Sequence, residues 1–161
     1  MSKQNGKSTD GGGGVKSLAA NRKARFDYEI LDKLVAGIVL RGGEVKSIRL
    51  GEFNLEESYV RPERGELYWI GAYIKPYLMA GREELEPTRK RKLLLSKREI
   101  DKLVGQVSTA GLTIVPLALL LKGGRVKLEI GLARGKKNRD KREAIKERQA
   151  KREISRLVKR R

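Results

Sequence analysis

The charge of this 161-residue chain is crowded into its ends, and that limits which part of it can fold. Residues 135–161 carry 13 Lys/Arg against 4 acids, a net of +9, which is half of the formal +18 of the chain. This segment has no aromatic residue and repels itself, so it is expected to stay loose until a polyanion neutralises it. Residues 1–25 add 6 basic residues and 1 acid, which leaves +4 for residues 26–134. The charge pattern therefore predicts one mildly basic body between two strongly basic arms. A body of about 110 residues can bury a single core without staples.

Composition removes several function classes. There is no Cys and no His. Disulfide frameworks, thiolate chemistry, Ser-His and Cys-His nucleophiles and zinc sites are excluded with them. The carboxylates that remain, Glu83, Glu84 and Glu86 in one loop and Asp101 on a helix, show no recurring ligand spacing, so neither a metal site nor an enzyme is expected. No cofactor is implied. The Gly11–Gly14 run lacks the Lys-Ser/Thr of a phosphate loop, and residues 131–137 have the wrong spacing for one. No apolar run reaches the ~18 residues that span a bilayer. The N-terminus has no apolar stretch behind its basic residues, so it does not read as a secretory signal. A cytoplasmic protein without a membrane partner or small-molecule substrate is the expectation.

Residues 1–20 read as a disordered leader rich in Gly, Ser and Lys. From Phe26 the alternation of Phe26, Tyr28 and Ile30 predicts a strand, and Val35–Leu40 a second, with Gly37 marking a bend or a close backbone approach. Residues 44–50 predict a two-turn helix. Ser58–Arg61 and Glu66–Ile74 flank Pro62-Glu63-Arg64-Gly65 as a hairpin with a four-residue tip. Ser96 and Glu99 form a capping box ahead of Ile100, Leu103, Val104 and Val107, a helical stripe that Gly111 stops. Leu112–Leu121 reads as a buried strand. The turn at Lys122–Arg125 leads into a strand with Val126, Leu128, Ile130 and Leu132 on one face. Hairpins predominate and no βαβ pattern repeats. The predicted fold is a mainly β, closed antiparallel OB-like barrel of about six strands with two or three short helices, over residues 21–134.

Four basic segments are candidate contacts for a polyanion. Asn21, Arg22, Lys23 and Arg25 fit phosphate contact and a solvated linker equally well. Arg89, Arg91 and Lys92 sit against Leu93-Leu94-Leu95, and rigid attachment favours RNA contact there over a merely soluble loop. Arg125 and Lys127 alternate with Glu129, which fits either an interface or a solvated face. The fourth runs from Gly135, Lys136 and Lys137 through Arg139, Lys141 and Arg142. Beyond it, Glu147 and Lys151 form a favourable i,i+4 pair, and Ala150, Ile154, Leu157 and Val158 make a thin apolar stripe. Partial helix alone and fuller helix on a polyanion is the expectation. The stripe has neither the breadth nor the aromatic anchors of a membrane-surface helix. Most of the aromatics lie in strand arms and read as core, which points to recognition by shape and backbone rather than by base stacking.

These residues resemble one family. Asn21-Arg22-Lys23-Ala24-Arg25, Ala36-Gly37, Gly43-Glu44-Val45-Lys46-Ser47, Glu57-Ser58-Tyr59 and Glu86-Pro87-Thr88-Arg89 are similar to segments of the SmpB family. So are Arg91-Lys92-Leu93-Leu94-Leu95, Arg98-Glu99, Ala133-Arg134-Gly135-Lys136-Lys137 and Asp140-Lys141-Arg142, all in one collinear order. The resemblance implies a non-enzymatic factor that binds the tRNA-like domain of transfer-messenger RNA (tmRNA), as a monomer in a 1:1 complex. It implies delivery of that RNA to the empty A site of stalled ribosomes, where the incomplete protein is tagged for degradation. On the same basis the RNA-facing positions are Asn21, Arg22, Lys23, Gly37, Leu94 beside Lys92, and Lys127. Gly135, Lys136 and Lys137 face the decoding centre, and Leu157 and Val158 are the apolar pair of a tail helix lying in the message channel. Val35, Phe26 and Arg139 depart from the residues usual in the family: an acid, a His, and a His or Tyr. The alternative is a general basic OB-type RNA-binding or ribosome-associated protein without preference for this RNA.

Overall fold

The computed structural model describes residues 14–77 and 86–159. Its elements follow in the order β1 (Val15–Ala20), α1 (Arg22–Asp27), β2 (Tyr28–Ile38), α2 (Gly42–Arg49), β3 (Phe53–Asn54), β4 (Tyr59–Glu63), β5 (Glu66–Ile70), β6 (Tyr73–Ile74), β7 (Arg91–Leu94), α3 (Lys97–Ala110), β8 (Thr113–Lys122), β9 (Arg125–Gly135) and α4 (Asn138–Lys159). The molecule is mainly β. Seven strands form one sheet in the order β1-β8-β4-β5-β7-β2-β9, and every pairing is antiparallel. β9 also pairs with β8, so the pairings lead from β8 through β4, β5, β7, β2 and β9 back to β8. β3 and β6 make a separate two-stranded sheet.

Period-two alternation decides which face is inside. On β9, Val126, Leu128 and Ile130 point into the main core, while Lys127 and Glu129 between them are half-buried on the other face. Trp69 and Leu67 on β5 and Leu93 on β7 are fully buried in the same core. The Trp69 indole N–H donates to Ser58 Oγ at 2.9 Å, and Ser58 Oγ donates to the Leu55 carbonyl at 2.6 Å, so the ring's polar edge is satisfied where it is buried. The capping box is present: Ser96 Oγ accepts from the Glu99 N–H at 3.3 Å and Glu99 Oε2 accepts from the Ser96 N–H at 3.0 Å. Gly111 ends α3 in the left-handed conformation at φ 64°.

Several boundaries differ from the sequence expectation, and the single arm expected over Glu66–Ile74 is two strands, β5 and β6, in different sheets. Val15–Ala20 is not leader but strand: β1 pairs with β8, from Val15 opposite Lys122 to Ala20 opposite Ala118. Its half-buried Leu18 and Ala19 pack on the core and repay the ordering. Residues 1–13 of the expected leader lie outside the described residues, as do 78–85 of the charged loop. Phe26 opens no strand; it belongs to α1, and the two predicted strands over 28–40 are one continuous strand, β2. The β4–β5 tip is two residues, Arg64 and Gly65, both at positive φ (50° and 76°), the backbone that matches hairpin twist. Pro62 is tolerated inside β4 because β4 meets β8 only at Val60, which leaves its Pro62 end unpaired on that side. The tail, expected to be loose without a polyanion, forms the 22-residue helix α4.

Candidate nucleic-acid interface

Two separate places on the sheet collect the predicted contact residues. The first is the outer face where β2, β7 and β9 run side by side. Gly37 stands opposite Leu94 on one side and Lys127 on the other. A Cβ at position 37 would lie 3.1 Å from Leu94 Cβ and 3.6 Å from Lys127 Nζ, so the missing side chain is what lets the lysine ammonium and the leucine converge. Leu94 and Val35 are about half exposed there, at 52% and 49%. Lys92 is half-buried on β7, its Nζ 3.4 Å from Glu66 Oε1. Arg125 is exposed at the start of β9.

The second place lies at the other end of the same strands, around α1. Tyr28 pairs with Gly135, nine residues along β2 from Gly37, so the two places are separated by as much as about 30 Å of strand. Arg22, Lys23 and Arg25 are exposed on α1, with Lys23 Nζ 3.0 Å from Glu57 Oε1 across a cleft of about 450 Å³. Lys136 is held at this end: its backbone N–H donates to the Asp27 carbonyl at 2.9 Å and its Nζ to the Arg25 carbonyl at 3.3 Å. Exposed Arg134, Gly135 and Lys137 continue the basic surface into α4. Lys141 Nζ lies 3.4 Å from Asp27 Oδ1, and the Arg148 guanidinium stands 5.3 Å from the centre of the Phe26 ring. Arg142, Leu157 and Val158 are exposed on α4; the side chain of Arg139 is outside the described set. Of the carboxylate loop, Glu83 and Glu84 are likewise outside the described residues, and Glu86 is exposed.

Three predicted contacts point inward instead. Asn21 is 2% exposed and caps α1: its Oδ1 accepts from the Ala24 N–H at 3.1 Å, and its Nδ2 donates to the Pro116 carbonyl at 3.0 Å. Its backbone N–H donates to the Leu117 carbonyl at 2.7 Å. A bulge between Pro116 and Ala118 interrupts the β8 ladder, and Asn21 satisfies the carbonyls beside it. This packs Ala24 onto Val115, Leu117 and Ala133, a small cluster of its own. Replacing Asn21 by Ala removes the cap and leaves a buried carbonyl unpaired. An expected loss of roughly 2 kcal/mol follows, readable as a lower urea midpoint; an unchanged midpoint would show that α1 docks without it.

Arg91 and Arg89 are the other two. Arg91 is fully buried, with Nε 2.6 Å from Glu44 Oε2, Nη1 donating to the carbonyls of Ala72 and Arg89 at 2.9 and 3.1 Å, and Nη2 to that of Pro87 at 3.0 Å. Its guanidinium also stands 5.9 Å from the Trp69 ring centre. Arg89 donates to both Glu44 oxygens, and its Nη2 reaches the Val39 carbonyl at 3.3 Å. Burial alone would push the Glu44 carboxyl up. Hydrogen bonds from Arg89, the Arg41 N–H and Arg91 outweigh it and hold that carboxyl below its ordinary value. Burial lowers the Arg91 pKa, and Glu44 opposes that shift. Arg91 ties β7 to α2 from inside the fold and is not offered to a ligand, while Arg89, its side chain 21% exposed just before β7, turns its guanidinium to Glu44.

A mainly antiparallel β protein with cationic surfaces at both ends of two long strands defines the class. The chain matches the SmpB protein family over residues 18–160, and it belongs to that family. It is 53% identical over 146 residues to the SsrA-binding protein of Persephonella marina, covering 91% of this chain and 96% of that protein. The SsrA-binding protein of Thermosynechococcus vestitus is 51% identical over 151 residues, 93% of this chain and 99% of that one. A chain of a solved structure described as "tmRNA-SmpB: a journey to the center of the bacterial ribosome" superposes with a TM-score of 0.62 at 47% identity. The match covers 79% of this chain and 93% of that chain.

Proposed function

We propose that this chain is the tmRNA-binding factor of trans-translation. It binds the tRNA-like domain of tmRNA and delivers it to the empty A site of stalled ribosomes, so that the unfinished protein is tagged for degradation. The observation that carries this reading is the family match over residues 18–160, joined by SsrA-binding relatives at 51–53% identity over about nine-tenths of the chain. The ring of strand pairings supports a closed, OB-like barrel from residue 15 to the end of β9, acting as the RNA-binding body. Arg22, Lys23, Arg25, Gly37, Lys92, Leu94, Arg125 and Lys127 are its RNA-facing residues, in the two groups described above. Gly135, Lys136, Lys137, Arg139, Lys141, Arg142, Leu157 and Val158 belong to the ribosomal arm. The protein acts by binding and positioning and performs no chemistry, as a cytoplasmic monomer in a 1:1 complex. No helix among the described residues is long and apolar enough to cross a membrane.

A competition titration at near-physiological salt tests this. The labelled tRNA-like domain is challenged with ordinary tRNA and with unstructured RNA of equal length. Shape-specific recognition predicts a preference of ~100-fold or more, about 2.7 kcal/mol. Equal competition by all three would return the protein to the general basic RNA binder. That binder would show only the steep loss of affinity with salt that counterion release imposes.

A further inference from the structure

Around Gly37 the outer face of β2, β7 and β9 is built from apolar residues and cations, with one exception. Glu129 is half-buried on the same face of β9 as Lys127, two residues away and so about 7 Å along the strand. Its cross-strand neighbours are apolar on both sides: Val35 on β2 and Ala118 on β8. Lys127, the nearest cation along its own strand, carries its ammonium over Gly37 instead. The Glu129 side chain makes no hydrogen bond or ion pair among the described residues. The fold supplies this carboxylate with no donor, and on a phosphate-binding face it costs affinity because it repels the ligand.

We propose that Glu129 is a specificity-determining residue of the RNA face, accepting a hydrogen bond from a neutral donor of the bound RNA. The proposal rests on the RNA-binding reading of this face. A carboxylate is acceptor-only, and the neutral donors of RNA are the ribose 2′-hydroxyl and the base amino and imino groups. Lys127 takes a phosphate, and Glu129, about one nucleotide step away, reads whether a donor is presented beside it. Val35, Gly37 and Leu94 contribute no competing hydrogen-bonding side chain. The charge that weakens binding to any RNA thereby strengthens binding to the RNA whose fold places a donor there, which is discrimination by a built-in repulsion.

The test compares Glu129→Gln and Glu129→Ala with the unaltered full chain, each binding the tRNA-like domain and an unstructured RNA of equal length. Glu129→Gln keeps the side-chain shape, and thermal unfolding confirms that both variants fold. The expected result is opposite signs. Unstructured RNA binds as well or tighter, while the tRNA-like domain binds about tenfold weaker to the Ala variant, with Gln between. If both RNAs tighten together, Glu129 is a solvated charge and the proposal is wrong. Lys127→Ala is run alongside. If it leaves both affinities unchanged, the RNA-binding reading of this face fails instead. Single 2′-deoxy and inosine substitutions at nucleotides the protein protects then separate the donors: the one whose effect vanishes in the Gln variant is the partner. If every such substitution acts equally on wild type and variant, no donor is read and the proposal falls.

Discussion

Glu44→Gln is expected to lower stability by about 3–5 kcal/mol, on the order of 10 °C or more in Tm for a domain of this size. Glu44 is 4% exposed and Arg91 is fully buried, so neither charge has water to fall back on. The amide keeps one acceptor for two guanidinium groups and turns a donor toward one of them. The three carbonyls on Arg91 hold its N–H groups but do not balance its charge. The pair Glu44→Leu with Arg91→Met should cost less than the sum of the single changes, because a buried charge without its partner is worse than none. The pH dependence carries a sign. The folded-state pKa of Glu44 is depressed, so its contribution is fully present above the ordinary carboxyl range. It is lost as pH falls through the folded value. Wild type and Glu44→Gln should therefore differ most at neutral pH and converge in acid. Denaturant midpoints measured from neutral pH down to about pH 3 read both effects. A constant gap across that range would sink the ionic account.

Arg91 also shows what the sequence held and how it was misread. In Arg91-Lys92-Leu93-Leu94 the strand period puts Arg91 on the same side as Leu93, which is fully buried. The parity was legible, but the segment reads first as a basic run, and a run of charge hides an alternation. The matching signal was Glu44, the one acid beside the glycines that open α2; only the fold shows that α2 and β7 meet. Asn21 was obscured in the same way. Its neighbours are cationic, so it reads as part of a phosphate grip, whereas its partners are the carbonyls of a bulge 95 residues away. Val15–Ala20 has too few apolar residues to predict a strand, and it becomes one because β8 offers it an open side. By contrast α3 and the β8–β9 hairpin were readable in advance, since capping box, stop signal, turn and alternation are all local. Gly37 was legible as a close approach, and the approaching groups turn out to be Leu94 and Lys127.

Ending the chain after Lys137 should leave most of the affinity for the tRNA-like domain and abolish tagging. The cut falls there because Gly135 is still a strand residue paired with Tyr28, and Lys136 is bonded to α1. A cut before Gly135 would disturb the sheet as well as the tail. The deletion removes 11 Lys/Arg and 4 acids, a net of +7. Unstructured RNA, held by charge alone, should therefore lose more affinity than the folded RNA and show a shallower salt slope. The helix it removes does little for the body. α4 touches α1 through the Lys141–Asp27 pair and the Arg148–Phe26 contact, while Ile154, Leu157 and Val158 are 61, 67 and 69% exposed. Apolar side chains left this open contribute nothing to the free protein's core, and their burial is available to a partner. Leu157→Ala together with Val158→Ala should accordingly leave Tm and RNA affinity unchanged and still reduce tagging. The readout is peptide tagging in a reconstituted translation reaction on a message without a stop codon, beside RNA binding on the same preparations. Loss of tRNA-like-domain binding on truncation would mean that the tail, and not the sheet, is the RNA grip.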